Sequence, residues 1–239
     1  MDNLFSHITV ADIHHDLIRN IVSLNESEHP FDDLSSNTEE WFLARQVESD
    51  TRPLPYHSHT PQLHRPFEEA LWLNAIHWPF KNRQTSRFSD GSFGVWYGSD
   101  RLETSVHESA YHWFRGLLCD AGFEHEEVVI ERTLYAAACD AVLLDFRSVA
   151  ANYPTLLHTA DYTFTQSIGA RIHGEGHPGL LTLSARHLGG INYAVLNPNV
   201  LSNPRPYSKL IYRLHGQTIT VKEHSGVPCM EIAIDTFLA

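Results

Sequence analysis

Histidine is the residue type in this sequence that most directly suggests metal chemistry, since the chain has 17 of them. His107 and His112 are five residues apart, which is about 140° around a helix, whereas a zinc-binding helix needs two histidines four residues apart on one face. The other close pairs lie in proline-rich or glycine-rich stretches without a cysteine pair or carboxylate cluster at ligand spacing: His57/His59 and His173/His177. The histidines therefore predict no metal site.

Signatures of an activated nucleophile or a phosphate-binding loop are missing from the sequence. It has no Gly-x-Ser-x-Gly elbow, no Gly-x-x-x-x-Gly-Lys-Ser/Thr loop, and no Gly-x-Gly-x-x-Gly after a strand. The segment 174–179 resembles the last of these in composition, but it follows a predicted helix and precedes a predicted strand, which is the reverse order. We expect neither a triad hydrolase of that kind nor a Rossmann-type nucleotide site.

Glu108 is a carboxylate on a predicted amphipathic helix. Leu102, Val106 and Ala110 fall within one apolar arc of that helix, and Glu108 lies outside it. Spacing alone therefore predicts a solvated surface charge, unless a cleft faces this side of the helix.

The surrounding pattern predicts an α+β fold with a mainly antiparallel sheet flanked by helices. The predicted helices cover 3–24, 66–79, 100–118 and 162–172, and the predicted strands cover 41–47, 92–98, 127–137, 141–145, 179–183, 191–196, 209–215, 218–222 and 229–234. Asp100 is predicted to cap the third helix, and Gly216-Gln217 is a two-residue hairpin signal. We predict a helical extension and tether over 1–40 and one domain over 41–239.

Composition limits the classes of partner and compartment. Lysine and arginine total 17 against 29 acidic residues, a net charge of -12 over 239 residues, so the long-range field repels nucleic acid and anionic membranes. Three cysteines without framework spacing favour a reducing compartment. No basic and apolar leader opens the chain, so we expect a cytoplasmic protein.

Four blocks of sequence, read together, are more specific than any single motif. They are Ser86–Ser99 followed by Leu102–Glu108, then Leu183–Gly190, then Ala194–Pro198, and finally the tail segments Leu201–Arg205 and Tyr212–Gly216. In content, order and spacing this series closely resembles the RES-domain family, which is named after an arginine, a glutamate and a serine. The resemblance covers roughly residues 41–222.

The resemblance implies a fold similar to ADP-ribosyltransferases and a toxin of a bacterial toxin–antitoxin pair. Such toxins consume NAD+ as a substrate, with no prosthetic group, and their partner is an Xre-type helix-turn-helix antitoxin. The acidic charge agrees with this, because the partner would carry the DNA contacts. The ADP-ribosyl acceptor stays open: inorganic phosphate as a co-substrate, water, or a protein side chain. A catalytically silent interaction module is a further alternative.

The resemblance also assigns candidate residues. The glutamate is Glu108, which would stabilise the oxocarbenium-like transition state. The serine is Ser184, which would form a hydrogen bond with the nicotinamide-ribose side of the substrate or with a phosphate. Tyr97 would stack on nicotinamide.

The family arginine is assigned to Arg45, at the end of a predicted strand, where it would bind the pyrophosphate. Arg52 and Arg65 are rivals for the same role. Arg87 is a second cationic candidate for the phosphates.

Overall fold

A computed structural model of the chain describes residues 2–22, 66–223 and 228–237. Its α-helices are α1 (Asp2–Phe5), α2 (Pro66–Lys81), α3 (Leu102–Trp113), α4 (Cys119–Ala121) and α5 (Thr163–Gly174). Its strands are β1 (Thr9–Val22), β2 (Thr85–Ser86), β3 (Ser89–Asp90), β4 (Trp96–Ser99), β5 (Val128–Asp145), β6 (Gly179–Leu183), β7 (Ile191–Val195), β8 (Leu201–His215), β9 (Thr218–Glu223) and β10 (Pro228–Ala233). The strand predicted over 41–47, and Arg45, Arg52 and Arg65, lie outside the described residues.

The N-terminal segment is mostly a strand, and the helix predicted over 3–24 is wrong apart from the single turn of α1. Strand β1 pairs antiparallel with β5 along its whole length, from Thr9 opposite Asp145 to Val22 opposite Arg132. The sequence misleads here because a spacing of four residues, as between Ile13 and Leu17, keeps side chains on one face of a strand as well as of a helix. Pairing with a distant strand decides between the two.

The pairings make a closed circuit within the main sheet. Strand β1 pairs with β4, β4 with β7, β7 with β6, β6 with β5, and β5 again with β1. From β5 the sheet continues through β8 and β9 to β10. Among these pairings only β5 with β6 is parallel in the described residues, at Leu144 and Asp145. The predicted α+β class with a mainly antiparallel sheet is therefore confirmed.

Helix α3 is placed by the burial of its apolar face. Val106 and Ala110 are fully buried, and they pack in one cluster with Leu134 of β5 and with Leu210 and Tyr212 of β8. The opposite side of the helix, which includes Glu108, is thereby turned away from this cluster. In the described residues, no helix combines the length and apolar character that a membrane crossing requires.

Several predicted boundaries move. Helix α2 begins at Pro66 as predicted but continues past Pro79 to its end at Lys81. Helix α3 begins after Arg101, whose side chain makes no cap, so the predicted cap at Asp100 is wrong. The helical path runs on from α3 through a π turn over Phe114–Leu118. The strands predicted over 127–137 and 141–145 form the single strand β5.

Candidate active site

The carboxylate of Glu108 is held by side chains from two distant parts of the chain. Its Oε1 accepts a 2.6 Å hydrogen bond from the Ser184 hydroxyl and a 2.5 Å bond from Nδ2 of Asn192. Glu108 is half-buried. Its position outside the apolar arc is as the sequence indicates, but it faces protein donors and a cavity instead of open solvent.

Ser184 opens a loop, residues 184–190, that we call the serine loop. The Ser184 hydroxyl accepts hydrogen bonds from the backbone N–H groups of Arg186 (3.1 Å) and His187 (3.0 Å). The loop closes where the Ser184 N–H donates to the Gly190 carbonyl at 2.8 Å. Because both neighbours of its oxygen are donors, the hydroxyl has one direction left for its own proton, which is toward Glu108.

The serine loop is fastened to α3 by three further contacts. The Thr104 hydroxyl lies 2.9 Å from Nδ1 of His187. The guanidinium carbon of Arg186 lies 3.4 Å from the centre of the Tyr111 ring. The rings of His187 and His107 stack in parallel with centres 4.8 Å apart. Three successive turns of the helix thus take part in holding this loop, which fixes where Ser184 meets Glu108.

A cavity of about 420 Å³ lies beside Glu108. This size is within the usual range for small-molecule sites. Its lining among the described residues comprises Ile18, Asn20, Thr85, Ser86, Arg87, Phe88, Tyr97, Gly98, Ser99, Ser105, Glu108, Ser109, His112, Arg132, Tyr162, Thr182, Asn192 and Ala194. The lining includes Glu108, Tyr97 and Arg87 but not Ser184, so the serine reaches the cavity through Glu108.

Tyr97 ties the β2–β3 hairpin to the cavity wall. Its hydroxyl accepts a 3.0 Å hydrogen bond from the Phe88 N–H and lies 2.9 Å from the Ser86 hydroxyl. Burial raises the pKa of Tyr97 to about 12, so the phenol stays neutral. The side chain is half-buried and lines the cavity, where its ring offers an aromatic surface.

Arg87 follows Ser86 in the same hairpin and brings a cation to the cavity. Its NH1 group donates to the carbonyls of Leu156 (3.2 Å) and His158 (2.9 Å). Its guanidinium carbon lies 4.7 Å from the centre of the Tyr162 ring. Within the described residues no carboxylate forms an ion pair with it.

Arg132 is a second cation on the cavity wall, and the sequence motifs did not predict it. It is 8% exposed, and burial lowers its pKa. Its Nε donates to Oδ1 of Asn20 at 2.6 Å, and Nδ2 of Asn20 donates to the hydroxyls of Ser109 (3.0 Å) and Tyr212 (2.8 Å). This network connects β1, β5, β8 and α3 at one point of the wall.

A signal for Arg132 does exist in the sequence. Positions 128, 130, 134 and 136 are apolar and share one face of the strand with position 132, so the arginine occupies an inward-facing position of an otherwise apolar strand face. A charge at such a position is costly unless it has a partner or a function.

The two histidines of α3 have different surroundings. His107 stacks on His187, and burial together with that neighbour lowers its pKa. His112 lines the cavity; burial lowers its pKa, and Arg186 and other cations lower it further against the opposing effect of Glu108. Within 2–22, 66–223 and 228–237, no three or more His, Cys, Asp or Glu side chains are grouped so that they could hold a metal ion.

Comparison with models of known protein families assigns the sequence to one of them. Residues 56–215 match the family model described as "RES domain", which is well over half of the chain. The chain belongs to the RES-domain family. The matched region contains Glu108, Ser184, Tyr97 and Arg87, together with Asn192 and Arg132.

Comparison with curated proteins and with solved structures is less informative. No curated protein matches this RES-domain chain significantly. Among solved structures it is similar to the M. tuberculosis MbcT-MbcA toxin–antitoxin complex, with 10% sequence identity over 87% of this chain and 88% of that chain, and a TM-score of 0.48. A similarity of this size bears on neither activity nor partner.

Proposed function

We propose that this RES-domain protein breaks the bond between nicotinamide and ribose in NAD+ and passes the ADP-ribosyl group to inorganic phosphate or water. The observation that supports this most is the Glu108 carboxylate on the wall of a cavity of about 420 Å³, with one oxygen fixed by two donors. Membership of the RES-domain family supports it independently.

The proposed chemistry needs a negative charge beside the ribose. The nicotinamide ring of NAD+ is cationic, so when the bond from ribose C1′ to the ring nitrogen breaks, nicotinamide keeps the electron pair and leaves neutral. Positive charge then develops on C1′ and the ribose ring oxygen. The Glu108 carboxylate stabilises this charge. An oxygen of phosphate or water forms the new bond to C1′, and in the case of water the proton goes to solvent.

The remaining candidates bind and orient the dinucleotide in this proposal. Arg87 and Arg132 offer N–H donors and positive charge to the pyrophosphate oxygens. Arg45, with Arg52 and Arg65 as rivals, stays a prediction for the same task. The neutral Tyr97 ring stacks on nicotinamide. Ser184 acts on the substrate through Glu108, since its own hydrogen bonds are already committed.

At the level of the cell, we propose a toxin that depletes cytoplasmic NAD+ and arrests growth unless an Xre-type antitoxin binds it. This rests on the family alone. Expression of the chain should lower the NAD+ content of the host, and co-expression of the cognate antitoxin should prevent it.

The test of the chemistry is an incubation of the purified chain with NAD+, with and without inorganic phosphate, followed by product identification by mass. Hydrolysis yields ADP-ribose, phosphorolysis yields ADP-ribose carrying one more phosphate, and both release nicotinamide. Transfer to protein would instead add the ADP-ribosyl mass to a polypeptide. If no nicotinamide is released in any of these conditions, the proposal is wrong and a silent interaction module becomes the better account.

A further inference from the structure

Asn192 and Ser184 both contact Glu108, but Asn192 lies in a strand and Ser184 in a loop. Asn192 lies in β7 opposite Ser99 of β4 on one side and opposite Thr182 of β6 on the other. With its backbone held in a ladder on both sides, Asn192 offers a fixed point from which the amide reaches Oε1 of Glu108 at 2.5 Å. It also lines the cavity.

The two donors meet at the same carboxylate oxygen. The Ser184 hydroxyl must donate to Oε1, because two backbone N–H groups occupy its acceptor side. An amide NH2 can only donate. Oε1 therefore receives two hydrogen bonds, which fix the orientation of the carboxyl group. Among the described residues, no group donates to the other oxygen, Oε2.

We propose that Asn192 is a positioning residue that, together with Ser184, fixes Oε1 of Glu108 and turns Oε2 toward the bound ribose. This inference rests on the proposed function of Glu108 and adds a residue to it that the family's arginine, glutamate and serine do not include. Asn192 contacts the carboxylate, so its effect on the reaction passes through Glu108.

Replacement of the donor separates this role from simple packing. Asn192→Asp keeps the size and shape of the side chain but sets a carboxylate against Glu108, while Asn192→Ala removes the donor without adding charge. If Asn192 only filled space, Asp would be the milder change. If it donates to Glu108, Asp is the more damaging change, because two carboxylates then face each other at hydrogen-bond distance.

The first measurement is turnover of NAD+ by the full chain. We expect Asn192→Ala to lower kcat by about 10- to 100-fold, the loss of one hydrogen bond to a charged group, with KM nearly unchanged. Asn192→Asp should lower kcat further. The matched control is Asn152→Asp, which adds the same charge at an exposed position and should behave as the wild type.

The second measurement does not depend on activity. In the double variant Asn192→Asp/Glu108→Gln the amide and the carboxylate exchange places, so the hydrogen bond can form again. We expect Asn192→Asp to lower the Tm, and the added Glu108→Gln change to restore it to near the wild-type value while turnover stays absent. Rescue of stability without rescue of turnover would confirm both the contact and the need for the carboxylate at position 108.

Two results would overturn the inference. One is an Asn192→Asp protein with the Tm and kcat of the wild type. The other is a Tm loss that Glu108→Gln does not relieve, which would mean that Asn192 does not act on Glu108. If the wild-type chain releases no nicotinamide but the Tm coupling is present, the contact stands and the proposed function alone fails.

Discussion

The Ser184 hydroxyl donates a 2.6 Å hydrogen bond to the Glu108 carboxylate across 76 residues of chain. One partner lies in the middle of α3 and the other begins the serine loop after β6. The contact joins the helix that follows β4 to the loop between β6 and β7. Because β4 and β6 both pair with β7, the two elements start from the strands on either side of β7 in one sheet. Sheet topology thus brings the glutamate and the serine together.

Glu108→Gln tests whether negative charge at this position is needed. The amide keeps the size of the side chain but cannot stabilise a developing positive charge, so kcat for nicotinamide release should fall by about 100-fold or more. Glu103→Gln, at an exposed position of the same helix, is the matched control and should retain activity. Wild-type nicotinamide release by Glu108→Gln would exclude the proposed role.

Ser184→Ala tests the serine loop. The change removes the hydroxyl that donates to Glu108 and leaves the N–H groups of Arg186 and His187 without their acceptor. We expect the free energy of unfolding to fall by about 1–3 kcal/mol, as measured by denaturant titration, together with a loss of kcat. Ser202→Ala, at an exposed position in β8, should change neither quantity. An alanine variant with unchanged stability would mean that the loop does not depend on this hydroxyl.

Gly169→Ala tests how closely α5 approaches the β2–β3 hairpin. A Cβ at position 169 would lie 1.8 Å from the Phe88 carbonyl oxygen, so the backbone beside Arg87 would have to move. We expect a lower Tm and a higher KM for NAD+, since the hairpin carries part of the cavity wall. Gly174→Ala lies in the same helix with open space around the new Cβ and should be tolerated. Equal behaviour of the two variants would contradict the expected movement.

Arg132→Met tests the buried cation. Methionine retains much of the side-chain volume but not the charge, so KM for NAD+ should rise about 10-fold, while kcat changes less, if the guanidinium binds the pyrophosphate. Arg115→Met removes an exposed arginine from the segment after α3 and serves as the control. An unchanged KM in Arg132→Met would limit Arg132 to its structural contact with Asn20.

The stacked pair of His107 and His187 predicts a loss of stability in acid. Burial, and secondly the neighbouring histidine, lower the pKa of His107 from its ordinary 6.5, so the unfolded chain takes up the proton first as the pH falls. Stability from this group is complete above pH 6.5 and decreases below it, toward the lower pKa of the folded state.

His107→Phe keeps a ring in the stack but cannot take up a proton. Measured as Tm between about pH 5 and pH 8, its stability should fall less steeply in acid than that of the wild type, with His112 still contributing to both curves. His125→Gln removes an exposed histidine and should leave the slope unchanged. Parallel curves for His107→Phe and the wild type would show that the stack does not govern this loss.

Local sequence patterns were sufficient for much of the molecule. The strands predicted over 179–183 and 191–196 correspond to β6 and β7, and the Gly216-Gln217 signal predicts the hairpin of β8 and β9, where Gly216 has a φ of 58°. The order of the sequence blocks identifies the family and gives four candidates that the structure describes: Glu108, Ser184, Tyr97 and Arg87. Each of these features depends on residues close together in the chain or on a known pattern.

The tertiary structure alone decided the rest. The segment from Thr9 to Val22 satisfies both helical and strand spacing, and pairing with β5, more than 100 residues away along the chain, makes it a strand. The surroundings of Glu108 likewise depend on Asn192, which is 84 residues away, and those of Arg132 on Asn20, at a separation of 112. Periodicity shows which face of an element is apolar. It does not show which distant side chains will donate hydrogen bonds to the polar residues of that element. Only the closed circuit of strands determines that the carboxylate, Asn192 and the buried arginine surround one cavity.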